Sequence, residues 1–135
     1  MIKLTLLSPY AIEFEGEAEE FYVETPLGPT QVSGGYADSY IALSDDCVLR
    51  VHLPSGRRYF AVHHGLLSVK DGRATISCLY CEDGAKLDRN RAEQAKQRAD
   101  AHLQGKDGDL VRAKAALSRA LCRLEASRLS LGGKE

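Results

Sequence analysis

The sequence predicts an α+β protein: an N-terminal antiparallel β-sandwich of about eight to ten strands, followed by a C-terminal antiparallel two-helix hairpin. Three observations carry this reading. Up to residue 85, short segments rich in Val, Ile, Leu, Tyr and Phe follow one another with Pro, Gly or Asp between them, the punctuation of strands and turns. From Leu87 the apolar period changes to three or four residues, as on a helix with one covered face. The charge changes sign at the same place: residues 1–85 hold six Lys/Arg against twelve Asp/Glu, and residues 86–135 hold twelve against seven. Two units follow, residues 1–85 and 86–135, whose opposite charge lets them attract each other or seek different partners.

The candidate strands are KLTLLSP (3–9), FYVETP (21–26), YIAL (40–43), CVLRVHL (47–53), RRYFAVHH (57–64), GLLSVK (65–70) and ATISCLYC (74–81). Pro54-Ser55-Gly56 and Asp71-Gly72 stand between segments of matched length and predict hairpin turns, Asp-Gly because it tolerates the positive φ of a two-residue connection. GPTQVSGGYAD (28–38) is too rich in glycine and polar residues for core and is expected to be an exposed loop.

In the second unit, Ala92, Ala95, Ala99 and Leu103 recur at helical spacing behind Asp88, a natural N-cap, so a helix is expected from about 88 to 103. QGKDGD (104–109) breaks the chain and offers a second cap. A helix from about 110 to 129 follows, with Leu110, Ala113, Leu117, Leu121 and Leu124 inside about 80° of arc as its buried stripe and Arg112, Arg119 and Arg123 on the other side. A connection of this length makes the helices antiparallel, and so few apolar residues make the pair marginal alone. It must lean on the sandwich or move between partners.

A chain of 135 residues holds one core of moderate size. It contains no apolar run of the roughly 18 to 20 residues that cross a bilayer, and its start lacks the pattern of a signal peptide, so a cytoplasmic protein with no direct membrane span is expected. The four cysteines, at 47, 78, 81 and 122, suit reduced thiols better than a disulfide scaffold. Cys78 and Cys81 have half a zinc spacing, but three residues apart on a strand they are expected on opposite faces, and no partner pair follows. Adjacent His63 and His64 likewise cannot serve one ion, and one of them is expected to be buried or at a partner surface. No catalytic constellation or phosphate-loop motif is present in the sequence, so no catalytic residue and no metal are assigned.

The basic hairpin interleaves Glu93, Asp100, Asp107, Asp109 and Glu125 and carries no aromatic residue for base stacking, which argues against nucleic acid. Arg91 and Arg98 share one face of the first helix, and Arg119 and Arg123 one face of the second. Four guanidinium groups across a hairpin suit a phosphate chain; a solvated face of (i, i+4) ion pairs accounts for the same residues without a ligand.

The local sequences LTLLSPYAIEFEGEAEEFYVETPLG, RYFAVHHGLLSVKDGRATI, LDRNRAEQAKQRA and RAKAALSRALCRL, in this order along nearly the whole chain, resemble the epsilon subunit of bacterial F-type ATP synthase. One stretch departs from that family's pattern: in 28–38, Gln31, Ser33 and Tyr36 replace a glycine, a leucine and a histidine of its usual loop. The resemblance implies a non-catalytic rotor subunit of the proton-translocating enzyme, peripheral on the inner face of the cell membrane. The sandwich would join the gamma subunit to the c ring in the central stalk. The hairpin would regulate ATP hydrolysis, lying on the sandwich or reaching along gamma toward the catalytic alpha and beta subunits. LDRNRA (87–92) resembles the signature with which some members bind ATP between the helices, which implies Glu82, Asp88, Arg91, Ala92, Arg98, Arg119 and Arg123 as a candidate site. No cofactor is required, and ATP would be a regulatory ligand. The alternative is an interaction arm whose arginines meet acidic protein surfaces and never a nucleotide.

Overall fold

The computed structural model describes residues 1–105 and 109–135. The chain runs through β1 (Ile2–Leu7), β2 (Ile12–Ala18), β3 (Glu20–Thr25), β4 (Gly28–Ser33), β5 (Ser39–Ala42), β6 (Asp46–Leu53), β7 (Gly56–Lys70) and β8 (Arg73–Asp83), then a 3-10 turn (Gly84–Lys86), α1 (Arg89–Gln104) and α2 (Leu110–Ser130). The strands bond in the order β2-β1-β8-β7-β6-β3-β4, with β5 on β7. This single sheet folds over itself into a sandwich around Leu4, Leu6, Phe21, Leu49, Phe60, Leu67 and Ile76. Every pairing is antiparallel except β1 with β8.

The two predicted turns are present. Leu53 pairs with Gly56 and Lys70 with Arg73, and Asp71 and Gly72 have φ of 51° and 74°, as a primed hairpin turn requires. Two strands escaped the sequence reading. β2, IEFEGEA, is an edge strand whose glutamates stay in water and whose only buried residue is Ala18, so its apolar signal is thin. The expected loop at 28–38 is half strand: β4 pairs with β3 along its length and buries Val32. Pro29 fits because β4 closes the other edge, where a missing N–H breaks no ladder.

RRYFAVHH and GLLSVK are one strand, β7, with a change of face inside it. Phe60 and Val62 face the core before the change, and Leu67 and Val69 after it. Even positions give way to odd ones around His64, which has φ 56°. β8 keeps register across the site, His63 opposite Tyr80 and Gly65 opposite Cys78, and therefore changes face with it. This corrects the expectation for the cysteines: Cys78 belongs to the core and Cys81 packs against it from the same side. Strict alternation assumes a regular pleat, and the left-handed residue interrupts it. All four thiols are free, and among the described residues no three His, Cys, Asp or Glu side chains group as metal ligands.

Both helices begin at their expected caps, Asp88 and Asp109. Of the connection QGKDGD, residues 106–108 lie outside the described residues, Asp107 among them. The buried stripe of α2 is not the expected one. Leu110 and Leu121 are exposed, and Leu117 and Leu121 line an open groove of about 400 Å³ beside β6. The covered residues are Ala113, Ala120, Cys122, Ala126, Ser127 and Leu129. α1 buries only Ala92 and Ala99, so small side chains let the helices approach closely. Cys122, Ala126 and Leu129 dock on Val48, Tyr59 and Ala61 of β6 and β7.

Candidate functional site

Where α1 begins and the second half of α2 passes β8, a cleft of about 350 Å³ opens, lined by Glu82, Leu87, Asp88, Arg91, Ala92, Ala95, Arg98 and Arg123. Each wall has a local cause. Asp88 caps α1, its Oδ1 accepting from the Arg91 N–H at 3.1 Å, and this fixes the first turn that carries Arg91 and Ala92. Arg98 stands two turns further on the same face, with Ala95 between them, small enough to leave the space open. β8 supplies Glu82 just before Gly84, over which α2 crosses at close range: a Cβ on Gly84 would stand 2.5 Å from the Ala126 carbonyl oxygen.

Six of the seven candidate residues, Glu82, Asp88, Arg91, Ala92, Arg98 and Arg123, meet in this cleft. Arg119 does not line it; its charge bears instead on Tyr80. Arg123 was expected on the solvent side of α2 and is half-buried against the sandwich. Its Nε donates to both oxygens of Glu82, at 2.9 and 3.0 Å, because the stripe that docks α2 is rotated from the leucines toward Ala120 and Cys122. Burial pushes the Glu82 carboxyl upward, but the hydrogen bonds and charges of His63 and Arg123 outweigh it and hold the group below its ordinary value. Among the described residues Arg91 and Arg98 make no ion pair, so the cleft holds two uncompensated guanidinium groups. Chemically, guanidinium groups so placed can pair with an anion.

A second groove of about 460 Å³ continues from the first along the helix pair and shares Ala95 and Arg98 with it. Ala99, Ala113 and Ala116 give it an apolar floor, and His102 and Arg112 stand at its sides. Sequence reasoning missed this groove, as it missed Leu87 and Ala95 in the cleft. The run of alanines at helical spacing was the available signal, since alanine on both helices leaves a channel wherever the backbones part.

Sequence reasoning also left unread what stands behind Glu82. Of the histidine pair, His63 is fully buried, at an odd position like Tyr59 and Ala61 beneath α2, and His64, at the left-handed position that interrupts the strand, is exposed. His63 Nε2 lies 2.8 Å from Glu82 Oε1 and its Nδ1 2.7 Å from Asp46 Oδ1.

The sequence profile described as the beta-sandwich domain of the ATP synthase delta/epsilon chain matches residues 1–84, and that of its long alpha-helix domain matches residues 86–128. The chain is 36% identical over 125 residues to the ATP synthase epsilon chain of Clostridium novyi, covering 91% of this chain and 95% of that one. It is 31% identical over 130 residues to the epsilon chain of Staphylococcus haemolyticus, covering 95% and 97%. Among solved structures it resembles a chain of the Euglena gracilis mitochondrial ATP synthase, resolved as OSCP/F1/c-ring, with a TM-score of 0.76 at 21% identity over 96% of this chain and 81% of that one. A chain of the Tetrahymena thermophila central stalk and c-ring is similar with a TM-score of 0.55 at 21% identity, covering 96% and 92%.

Proposed function

The chain belongs to the epsilon family of the ATP synthase, a non-catalytic stalk subunit of that complex, and from this premise we propose that its hairpin is a nucleotide-sensing brake on the rotor. The sandwich, residues 1–85, joins the gamma subunit to the c ring, and the hairpin, residues 86–135, exchanges between the docked form and one extended toward the alpha and beta subunits. ATP binds the docked form with its phosphates on Arg91, Arg98 and Arg123 and holds the hairpin away from the catalytic subunits. No described helix is long and apolar enough to cross a membrane; the subunit sits peripherally, on the inner face of the cell membrane, through its partners.

The observation that carries the nucleotide reading is the meeting of Arg91, Arg98 and Arg123 in one cleft with two of the guanidinium groups uncompensated by any described ion pair. Exchange is supported by the thin docking surface, in which, among the described residues, Leu129 is the one large aliphatic side chain of α2 that is buried. A ligand that binds only the docked form shifts such an equilibrium by mass action, without new contacts elsewhere.

Calorimetric titration of the full chain with ATP tests this. Binding in the micromolar to low-millimolar range is expected, with Arg91→Ala and Arg98→Ala each weakening it by about tenfold or more, the worth of a charge-assisted hydrogen bond. These two variants leave the docking contacts intact, whereas Arg123→Ala also breaks the link to Glu82. No heat at several millimolar ATP, with an unchanged melting temperature, would sink the nucleotide reading. The hairpin is then the interaction arm of the second reading, which one feature favours: Leu110, Val111 and Leu121 of α2 are exposed, apolar side chains that a partner could cover.

A further inference from the structure

His63 ties the hairpin to the sandwich through two carboxylates. Its Nδ1 faces Asp46 Oδ1 at 2.7 Å and its Nε2 faces Glu82 Oε1 at 2.8 Å, while the ring stacks on Tyr80 with centroids 4.3 Å apart. Both carboxylates are gripped from α2: Ser118 Oγ donates to Asp46 Oδ2 at 2.6 Å, and Arg123 Nε donates to Glu82. The sheet and the helix thus share one hydrogen-bonded chain, Ser118 to Asp46 to His63 to Glu82 to Arg123, with the fully buried imidazole at its centre.

An ionised carboxylate only accepts hydrogen bonds, so a ring between two of them satisfies both only when each of its nitrogens carries a proton. The imidazolium also balances the group: Asp46 and Glu82 negative, His63 and Arg123 positive. Removing the ring proton leaves a lone pair against a carboxylate oxygen less than 3 Å away, which loses a charge-assisted bond and adds a repulsion at a ring that water does not reach. The other groups that face the cluster do not take over this role. Burial pushes the Tyr80 phenol and the Cys122 thiol up, so both stay neutral, and Arg119, Arg91 and Arg98 keep their charge. Histidine is the side chain that changes charge near neutrality.

We propose that His63 is a proton-operated latch: its protonated ring, bridging Asp46 and Glu82, holds α2 on the sandwich, and loss of that proton releases the hairpin. The latch rests on the hairpin being a mobile arm and not on nucleotide binding, so it is tested without nucleotide. The full chain is labelled with nitrogen-15, the protonation of the His63 ring is read from its ring-nitrogen shifts, and the exchange of the α2 amides is followed from about pH 6 to about pH 8 after correction for intrinsic exchange. The expected result is an imidazolium at the lower pH and α2 opening that rises by about tenfold or more as the ring loses its proton, the worth of one charge-assisted hydrogen bond. The β6 and β8 amides should not follow. His63→Gln should flatten the α2 profile, and Ser118→Ala, on the surface, should raise opening at every pH while keeping the slope. If His63→Gln fails to fold, the ring shifts of the unaltered protein still decide. A neutral ring in the docked form, or an opening that ignores pH, overturns the latch alone. A hairpin as protected as the sandwich at every pH, in Ser118→Ala also, overturns the latch together with the mobile arm.

Discussion

Glu82 shows how one side chain serves both units. It stands at the end of β8, receives Arg123 from the hairpin and His63 from the sheet, and lines the cleft. Its carboxyl is held below the ordinary value of about 4.5 because these two donors and their charges outweigh its burial. The sign follows: a group whose docked value is depressed stabilises docking above its free value, and that contribution is lost as pH falls through the docked one. Acid below the ordinary carboxylate range should therefore loosen α2 from the sheet, seen as faster α2 amide exchange with the β-sheet signals unchanged. Glu82→Gln should show at about pH 6, where the unaltered protein stays docked, the opening that the unaltered protein reaches when acid protonates Glu82. A variant with unaltered α2 protection would show that the ion pair contributes nothing to docking.

At the scale of elements, the docking of α2 depends on a glycine as much as on apolar contact. Gly84 is buried beneath Ala126 and Ser130, and a methyl group there would meet helix backbone at 2.5 and 3.0 Å. Backbone cannot rotate aside as a side chain can, so Gly84→Ala must lift the helix. The expected outcome is an undocked hairpin on an intact sandwich, measured as a larger radius of gyration with strand signals preserved; an unchanged radius would refute the tight crossing. Leu129 is the matching apolar anchor, 2% exposed; Leu129→Ala should cost about 2 to 4 kcal/mol of docking, less if the site collapses around it.

On the scale of the whole molecule, strand register builds a surface that no single strand displays. Ile12 pairs with Leu7, Leu7 with Ser77, Ser77 with Leu66 and Leu66 with Ala42. Paired residues share a face, so these five form one row across five strands, and Leu79 stands two residues beyond Ser77. Ile12, Leu66 and Leu79 are 61%, 46% and 57% exposed with the hairpin docked, a contiguous patch of the kind that marks a partner surface. As the proposed seat of the gamma subunit, the row should lose its partner in Leu66→Asp: co-purification with gamma is abolished, while the isolated chain keeps its stability to within about 0.5 kcal/mol. Retained binding would move the gamma contact to another face.

Local chemistry was legible without coordinates. Asp88 and Asp109 cap because of what a carboxylate does at a helix start, Asp71-Gly72 turns because of the φ it tolerates, and the change of period at Leu87 marks where strands end. Of the seven residues that the resemblance named, six line one cleft and Arg119 does not. What depends on neighbours distant in sequence was decided only by the tertiary structure. β4 is a strand because β3 offers it an edge, Cys78 and Cys81 share a face because His64 turns the strand, and α2 buries alanines because Gly84 lets its backbone come close. Arg123 turns inward because Glu82 waits there, and His63 joins the two units because β6, β8 and α2 converge on it. A hydrophobic period tells that a face is covered; which side chain meets which is settled by packing between elements, where closest approach and paired charge outweigh the local pattern.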